Sequence, residues 1–140
     1  MNMVKLVTRA IILDKDKRVL LGKRAEGSMG AGQWALIGGK PDEGEPLDKT
    51  IVREVNEELG VIFINPTFWK DEKTTDSNNN PWHVYYYWGS VEGGLHLKLD
   101  EVPDARYFTQ DELKTLDIAF NHKTILTQFF EGVQDSKIVL

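Results

Sequence analysis

The chain has 140 residues, about one domain's worth, and a domain of that size buries roughly two thirds of its unfolded surface. Its 41% apolar and 28% charged residues exclude a disordered composition, and a net charge of −5 argues against a nucleic-acid backbone as partner. There is no cysteine for a disulfide or thiolate metal site, and neither Met1–Val7 nor any later stretch has the apolar length of a leader or a membrane span. One domain over residues 1–140, in the cytoplasm and off the membrane, is expected.

Val4–Leu13 and Arg18–Lys23 are rich in Val, Ile and Leu and flank the polar tetrapeptide Asp14–Lys17, which predicts two antiparallel strands closed by a turn. Ala25–Gly32 holds three glycines and reads as loop, and Trp34–Ile37 as a short buried strand before Gly38-Gly39. Pro46 in a first-turn position, apolar Leu47, Ile51, Val52, Val55 and Leu59, and Gly60 just past the end predict an amphipathic helix. Val61–Phe68 alternates, with Pro66 marking an edge or bulge, and a polar loop over Thr74–Pro81 leads into the aromatic strand Trp82–Trp88. Ala105–Phe108 reads as a strand, Gln110–Leu116 as a short helix and His122–Phe130 as a longer one, giving an α/β fold with helices against a mixed sheet.

Chemistry concentrates in the predicted central helix. Glu54, Glu57 and Glu58 stand at i, i+3 and i+4, which places them on one helical face roughly 5–6 Å apart at Cβ. Like charges so close are unfavourable unless a cation sits among them, and an all-oxygen set suits a hard divalent ion, Mg²⁺ first and Mn²⁺ as alternative. Taken alone, E-x-x-E-E also describes an ordinary solvated face; Arg53, within helical reach of Glu57, adds a group able to orient the carboxylates.

The spacing G-x5-E-x7-R-E-U-x-E-E-x-G-U, with U apolar, is met by Gly39, Glu45, Arg53, Glu54, Val55, Glu57, Glu58, Gly60 and Val61 without a break. This segment resembles the Nudix box, and Leu21–Arg24 and Gly32–Gly39 resemble the strand and loop that precede it, with Ile37 where a proline is commoner. The resemblance implies a Nudix-type α/β/α sandwich with a mixed central sheet and a hydrolase of phosphorus anhydrides. It implies that Glu54, Glu57, Glu58 and the Gly39 carbonyl hold the metal, that Arg53 and Glu45 position them, and that the ion neutralises phosphate charge and acidifies a water for attack at phosphorus. Glu101, six residues before Tyr107, resembles the loop glutamate that serves in some members as extra ligand or general base, with Asp100 as its neighbour.

Substrate contacts are expected from Arg24, by family analogy to a phosphate, and from Trp34 and His83 as rings against a base. The substrate marks conflict. The proline and tyrosine typical of ADP-ribose and dinucleoside polyphosphate hydrolases are absent at Asp76–Asn79, whereas Asp117–Lys123 resembles a segment common among ADP-ribose pyrophosphatases. Gly22-Lys23-Arg24 with Gly30–Trp34 resembles triphosphate hydrolases instead. ADP-ribose or a nucleotide sugar is expected slightly ahead of a (d)NTP, and an intact box disfavours a non-catalytic nucleotide sensor. The expected partner is a small nucleotide, with no nucleic acid and no membrane; a homodimer is the open alternative to a monomer.

Overall fold

The computed structural model describes residues 3–140; Met1 and Asn2, the start of the segment read for a leader, lie outside them. The elements run β1 Lys5–Leu13, β2 Val19–Lys23, β3 Trp34–Ala35, β4 Ile37–Gly39, α1 Leu47–Leu59, β5 Ile62–Thr75, β6 Pro81–Glu92, β7 Ala105–Phe108, α2 Gln110–Leu113 and α3 His122–Gln134. They build a seven-stranded sheet in the order β3-β2-β1-β6-β5, with β4 on β1 and β7 on β2. The sheet is mixed because β1 and β6 run parallel from Lys5↔Trp82 to Ile12↔Gly89, while the other pairs are antiparallel.

β1 is shared along one edge: its end takes β2 at Ile12 and Leu13, and its middle takes β4 at Thr8, Arg9 and Ala10. Gly38 permits the second pairing, since a Cβ there would overlap the Thr8 carbonyl oxygen. Alternation then sorts side chains between two cores. Ala10, Ile12, Leu20 and Tyr87 meet Ile51, Val55 and Leu59 of α1 on one face, while Val7, Ile11, Val84 and Tyr86 join the cluster with Ile125, Leu126 and Phe129 of α3 on the other. The result is the expected α/β/α sandwich. Among the described residues no helix is long and apolar enough to cross a membrane.

Several boundaries differ from expectation. The Trp34–Ile37 strand is split at Leu36 into β3 and β4, so that the chain leaves β2 and joins β1. Pro46 is the N-cap of α1 rather than a first-turn residue, and Gly60 closes the helix in the left-handed conformation at φ 69°. β5 continues to Thr75 instead of ending near Phe68: register shifts around Asn65–Pro66 and Trp69 absorb the irregularity, and as an edge strand β5 needs partners on one side only. α2 is shorter and α3 longer than the sequence suggested.

Candidate active site

The helix and the two loops of the box gather their charges around Arg53. Its Nε and Nη2 donate to the two oxygens of Glu45 at 2.8 and 2.9 Å, and Nη1 donates to Glu54 at 3.0 Å and Glu57 at 3.1 Å. Nη2 also reaches the Lys40 carbonyl at 3.1 Å, tying the loop before α1 to the helix. Glu45 accepts further from the Thr50 hydroxyl and the Asp42 N–H, and these bonds, Arg53 foremost, hold its carboxyl down to about 2. A planar guanidinium hydrogen-bonded to three carboxylates, with Asp42 Oδ2 a further neighbour at 3.5 Å, is a positioning device that a lysine would not reproduce.

Behind this hub the helix meets β4. Gly39 lies so close to Glu54 that a Cβ would overlap its carboxyl group, and the Gly39 carbonyl accepts the Thr8 hydroxyl at 2.9 Å. Burial pushes Glu54 upward and raises Glu58 to about 8, with the neighbouring Glu54 as the next cause for Glu58. Glu58 Oε2 is buried and has no hydrogen-bond partner among the described residues. A buried carboxylate oxygen left unpaired among other carboxylates is a costly arrangement that a bound cation relieves, and the donors at hand are all oxygen. The fit is one of donor chemistry. Among the described residues no three acidic or histidine side chains already converge as a metal cage, and Glu57 is turned outward to Arg53 with its side chain 52% exposed.

A cleft of about 1040 Å³ opens in front of Gly39, Glu54 and Glu58. Its floor is the β1 and β6 surface carrying Val7, Val84, Arg9 and Tyr86, and Trp82 and Phe120 also line it. The Arg9 side chain makes no hydrogen bond or ion pair with any described residue; burial first, then Arg24, lowers its pKa, and a guanidinium nonetheless keeps its charge. Arg9 and Arg24 stand 5.9 and 5.3 Å from the Phe120 ring. Phe120 adopts φ 56° and is 49% exposed, a strained, outward aromatic of the kind that accumulates at functional sites. The loop is pinned behind it: the Leu36 N–H donates to His122 Nδ1 at 3.0 Å, burial keeps that imidazole neutral, and the proton is therefore on Nε2.

The residues singled out in the sequence fall into three groups. Gly39, Glu54, Glu58, Arg24 and Glu101 line the cleft; Arg53, Glu45 and Glu57 form the brace beside it. Glu101 stands at the rim with Oε1 on Lys98 Nζ at 2.9 Å, and Asp100 lines the cleft beside it. Trp34 and His83 are not brought in. Trp34 is on β3, edge-on to Phe108 at 4.9 Å, and His83 points from the opposite face of β6 to Trp82, Val84 and Tyr86, paired with Asp71 at 2.5 Å and stacked on Tyr85. The structure adds Arg9, Trp82, Tyr86 and Asn121. Of these Arg9 left a trace in the sequence, a cation in the middle of the mostly apolar β1.

Comparison with known proteins agrees with the fold. A family model described as the NUDIX domain matches residues 3–129, and the chain belongs to the Nudix hydrolase family. It is 30% identical over 103 residues to the CTP pyrophosphohydrolase of Escherichia coli, covering 71% of this chain and 75% of that protein. It is likewise 30% identical over 120 residues to the ADP-ribose pyrophosphatase of Methanocaldococcus jannaschii, covering 84% and 69%. A crystal structure of a MutT NUDIX hydrolase from Burkholderia pseudomallei superposes with a TM-score of 0.80 at 28% identity, over 90% of this chain and 98% of that one.

Proposed function

We propose that the chain is a Mg²⁺-dependent pyrophosphohydrolase, with Mn²⁺ as alternative, that splits the diphosphate linkage of a nucleoside diphosphate derivative, ADP-ribose or a nucleotide sugar ahead of a (d)NTP. The observation that carries this reading is the meeting, in one cleft, of the unpartnered buried Glu58 oxygen with the guanidiniums of Arg9 and Arg24. Carboxylates that want a cation beside arginines that want an anion match a metal–diphosphate substrate.

Glu54, Glu58, the Gly39 carbonyl and, once turned from Arg53, Glu57 would hold the ion, which would supply neutralisation of phosphate charge and a more acidic water. Arg53 and Glu45 keep the carboxylates in register. Arg24 and Arg9 grip phosphate oxygens, and Glu101 takes the proton of the attacking water. The order of substrates rests on the Asp117–Lys123 segment and on relatives named for both ADP-ribose and nucleoside triphosphates.

The test is a panel of ADP-ribose, nucleotide sugars and (d)NTPs with Mg²⁺ and with Mn²⁺, separating products by ³¹P NMR. The expected best reaction yields two monophosphates from a diphosphate-linked substrate. Pyrophosphate from a triphosphate as the best reaction reverses the substrate order, and turnover that persists in excess EDTA removes the metal from the reading.

A further inference from the structure

The cleft has two ends of different character. At one, Phe120 stands with the guanidiniums of Arg9 and Arg24, and the loop that carries it is tied across the sheet by Asn121 Nδ2, which donates to Glu72 Oε1 at 2.9 Å. At the other the wall is Trp82, and two lysines converge on its ring: Lys5 Nζ and Lys40 Nζ each stand 5.3 Å from the ring centroid. Lys5 is paired with Trp82 across the β1–β6 ladder, and Lys40 follows Gly39 in the loop that leads to α1.

Neither ammonium has an acidic partner among the described residues. In a chain with 22 acidic residues against 17 lysines and arginines, two unpaired lysines around one ring run against the composition. The acid at this end of the cleft is already committed. Asp76 Oδ1 accepts from the Asn78 and Asn80 N–H groups at 2.9 Å each, and Oδ2 accepts from Asn80 Nδ2 at 3.2 Å and from the Trp82 indole at 3.0 Å. These bonds, the indole foremost, hold its carboxyl down to about 2 and fix the ring, so Asp76 serves the turn and not the lysines. A cation over a solvent-reachable ring gains only about 0.5–1 kcal/mol, and an ammonium carries three donors, so Trp82 places the two groups without saturating them.

Spacing sets what the pair can meet. Lys5 lies four residues before Arg9 on β1, with Val7 between them on the same face, so its Cα is roughly 13 Å along the strand from that of Arg9. Long, flexible lysine side chains shorten the gap, and what remains is bridged by one sugar carrying a phosphate at each side. The floor between is apolar at Val7 and Val84, while Thr74, Thr75 and Ser77 add hydroxyl donors around the lysine end, a lining that suits an oxyanion.

We propose that Lys5 and Lys40, gathered around Trp82, form a subsite for a second anionic group on the substrate, a phosphomonoester on the ribose that follows the reacting phosphates. Lys5, outside the box and away from the metal carboxylates, is the specificity-determining contact. Charge-assisted bonds from an ammonium to that phosphate exist only when the phosphate is present, so they add affinity for the phosphorylated sugar and none for its plain counterpart. The inference rests on the proposed phosphate site at Arg9 and Arg24 and deepens it by naming a further group of the substrate.

Binding of adenosine 2′,5′-bisphosphate and of adenosine 3′,5′-bisphosphate against AMP, measured by calorimetry at low salt with Mg²⁺ present, tests it without requiring turnover, so it stays decisive even if the diphosphate reading fails. At least one bisphosphate is expected to bind wild type about ten- to a hundredfold more tightly than AMP. Lys5→Gln lowers that ratio by about tenfold and leaves AMP binding unchanged, a split that general structural damage does not produce, and Lys5→Arg, which keeps the charge, retains most of it. Bisphosphates that bind wild type no more tightly than AMP, or an undiminished ratio in a folded Lys5→Gln protein, overturn the proposal.

Discussion

At the scale of single residues, Glu58 is the group on which folding stability and the proposed metal binding pull apart. Its carboxyl is raised from 4.5 to about 8 in the folded chain, chiefly by burial. Between those values the unfolded chain has released a proton that the folded chain keeps, so the unfolded state binds fewer protons and folding stability falls as pH rises through the window. Below about 4.5 both states are protonated and above about 8 both are ionised, so the slope is confined between them. Metal-free wild type should therefore lose melting temperature from about pH 5 to pH 8 relative to Glu58→Gln, at up to about 1 kcal/mol per pH unit. Adding Mg²⁺ at pH 8 should recover wild type and not the variant. Parallel melting curves for the two proteins, with and without Mg²⁺, would show that Glu58 is an ordinary ionised carboxylate. The box residues were legible in the sequence because they lie on one helix and its flanking loops, where spacing fixes geometry. Arg9, Trp82, Asn121 and Glu72 were not, because they meet only through the pairing of β1 with β6, β6 with β5, and the loop that precedes α3.

At the scale of elements, α1 is held by what surrounds it as much as by its apolar face. Its carboxyl end closes on Gly60 in the left-handed conformation, whose N–H returns to the Asn56 carbonyl, and the His96 N–H bonds to the Leu59 carbonyl just beyond. A Cβ on Gly60 would meet His96 Cβ at 2.7 Å and the His96 carbonyl oxygen at 2.9 Å, so the cost is steric as well as conformational. Gly60→Ala is expected to lower stability in urea by at least about 1–2 kcal/mol. An unchanged unfolding midpoint would mean that the turn relaxes freely. The ends of α1 and the β1–β2 turn followed from local signals, proline before, glycine after, and a polar tetrapeptide between apolar runs. The length of β5 did not. Its second half, Lys70–Thr75, is polar on both sides, and only the ladder to Pro81–Tyr86 makes it a strand. His83 and Trp82 illustrate the same limit, since alternation gives two faces and tertiary packing decides which one looks into the cleft.

At the scale of the whole molecule, the two faces of the sheet have different tasks. α1 closes one face and brings the acidic brace to the β4 edge, while α3 covers only part of the other and leaves the Val7–Val84 surface open as the cleft. An acidic chain of net charge −5 thus places two of its arginines, Arg9 and Arg24, beside its most crowded carboxylates, a local arrangement that the overall charge conceals. In the proposed reaction a metal–nucleotide complex would satisfy both sets at once. The most direct measurement is Mg²⁺-dependent turnover of the best diphosphate substrate by wild type and by Glu57→Gln, with folding of both verified by their melting curves. The expected result is a folded variant slower by at least about a hundredfold, the low end of what an acid–base or ligand group contributes. Wild-type turnover by Glu57→Gln would contradict the assignment of the metal chemistry to the box carboxylates.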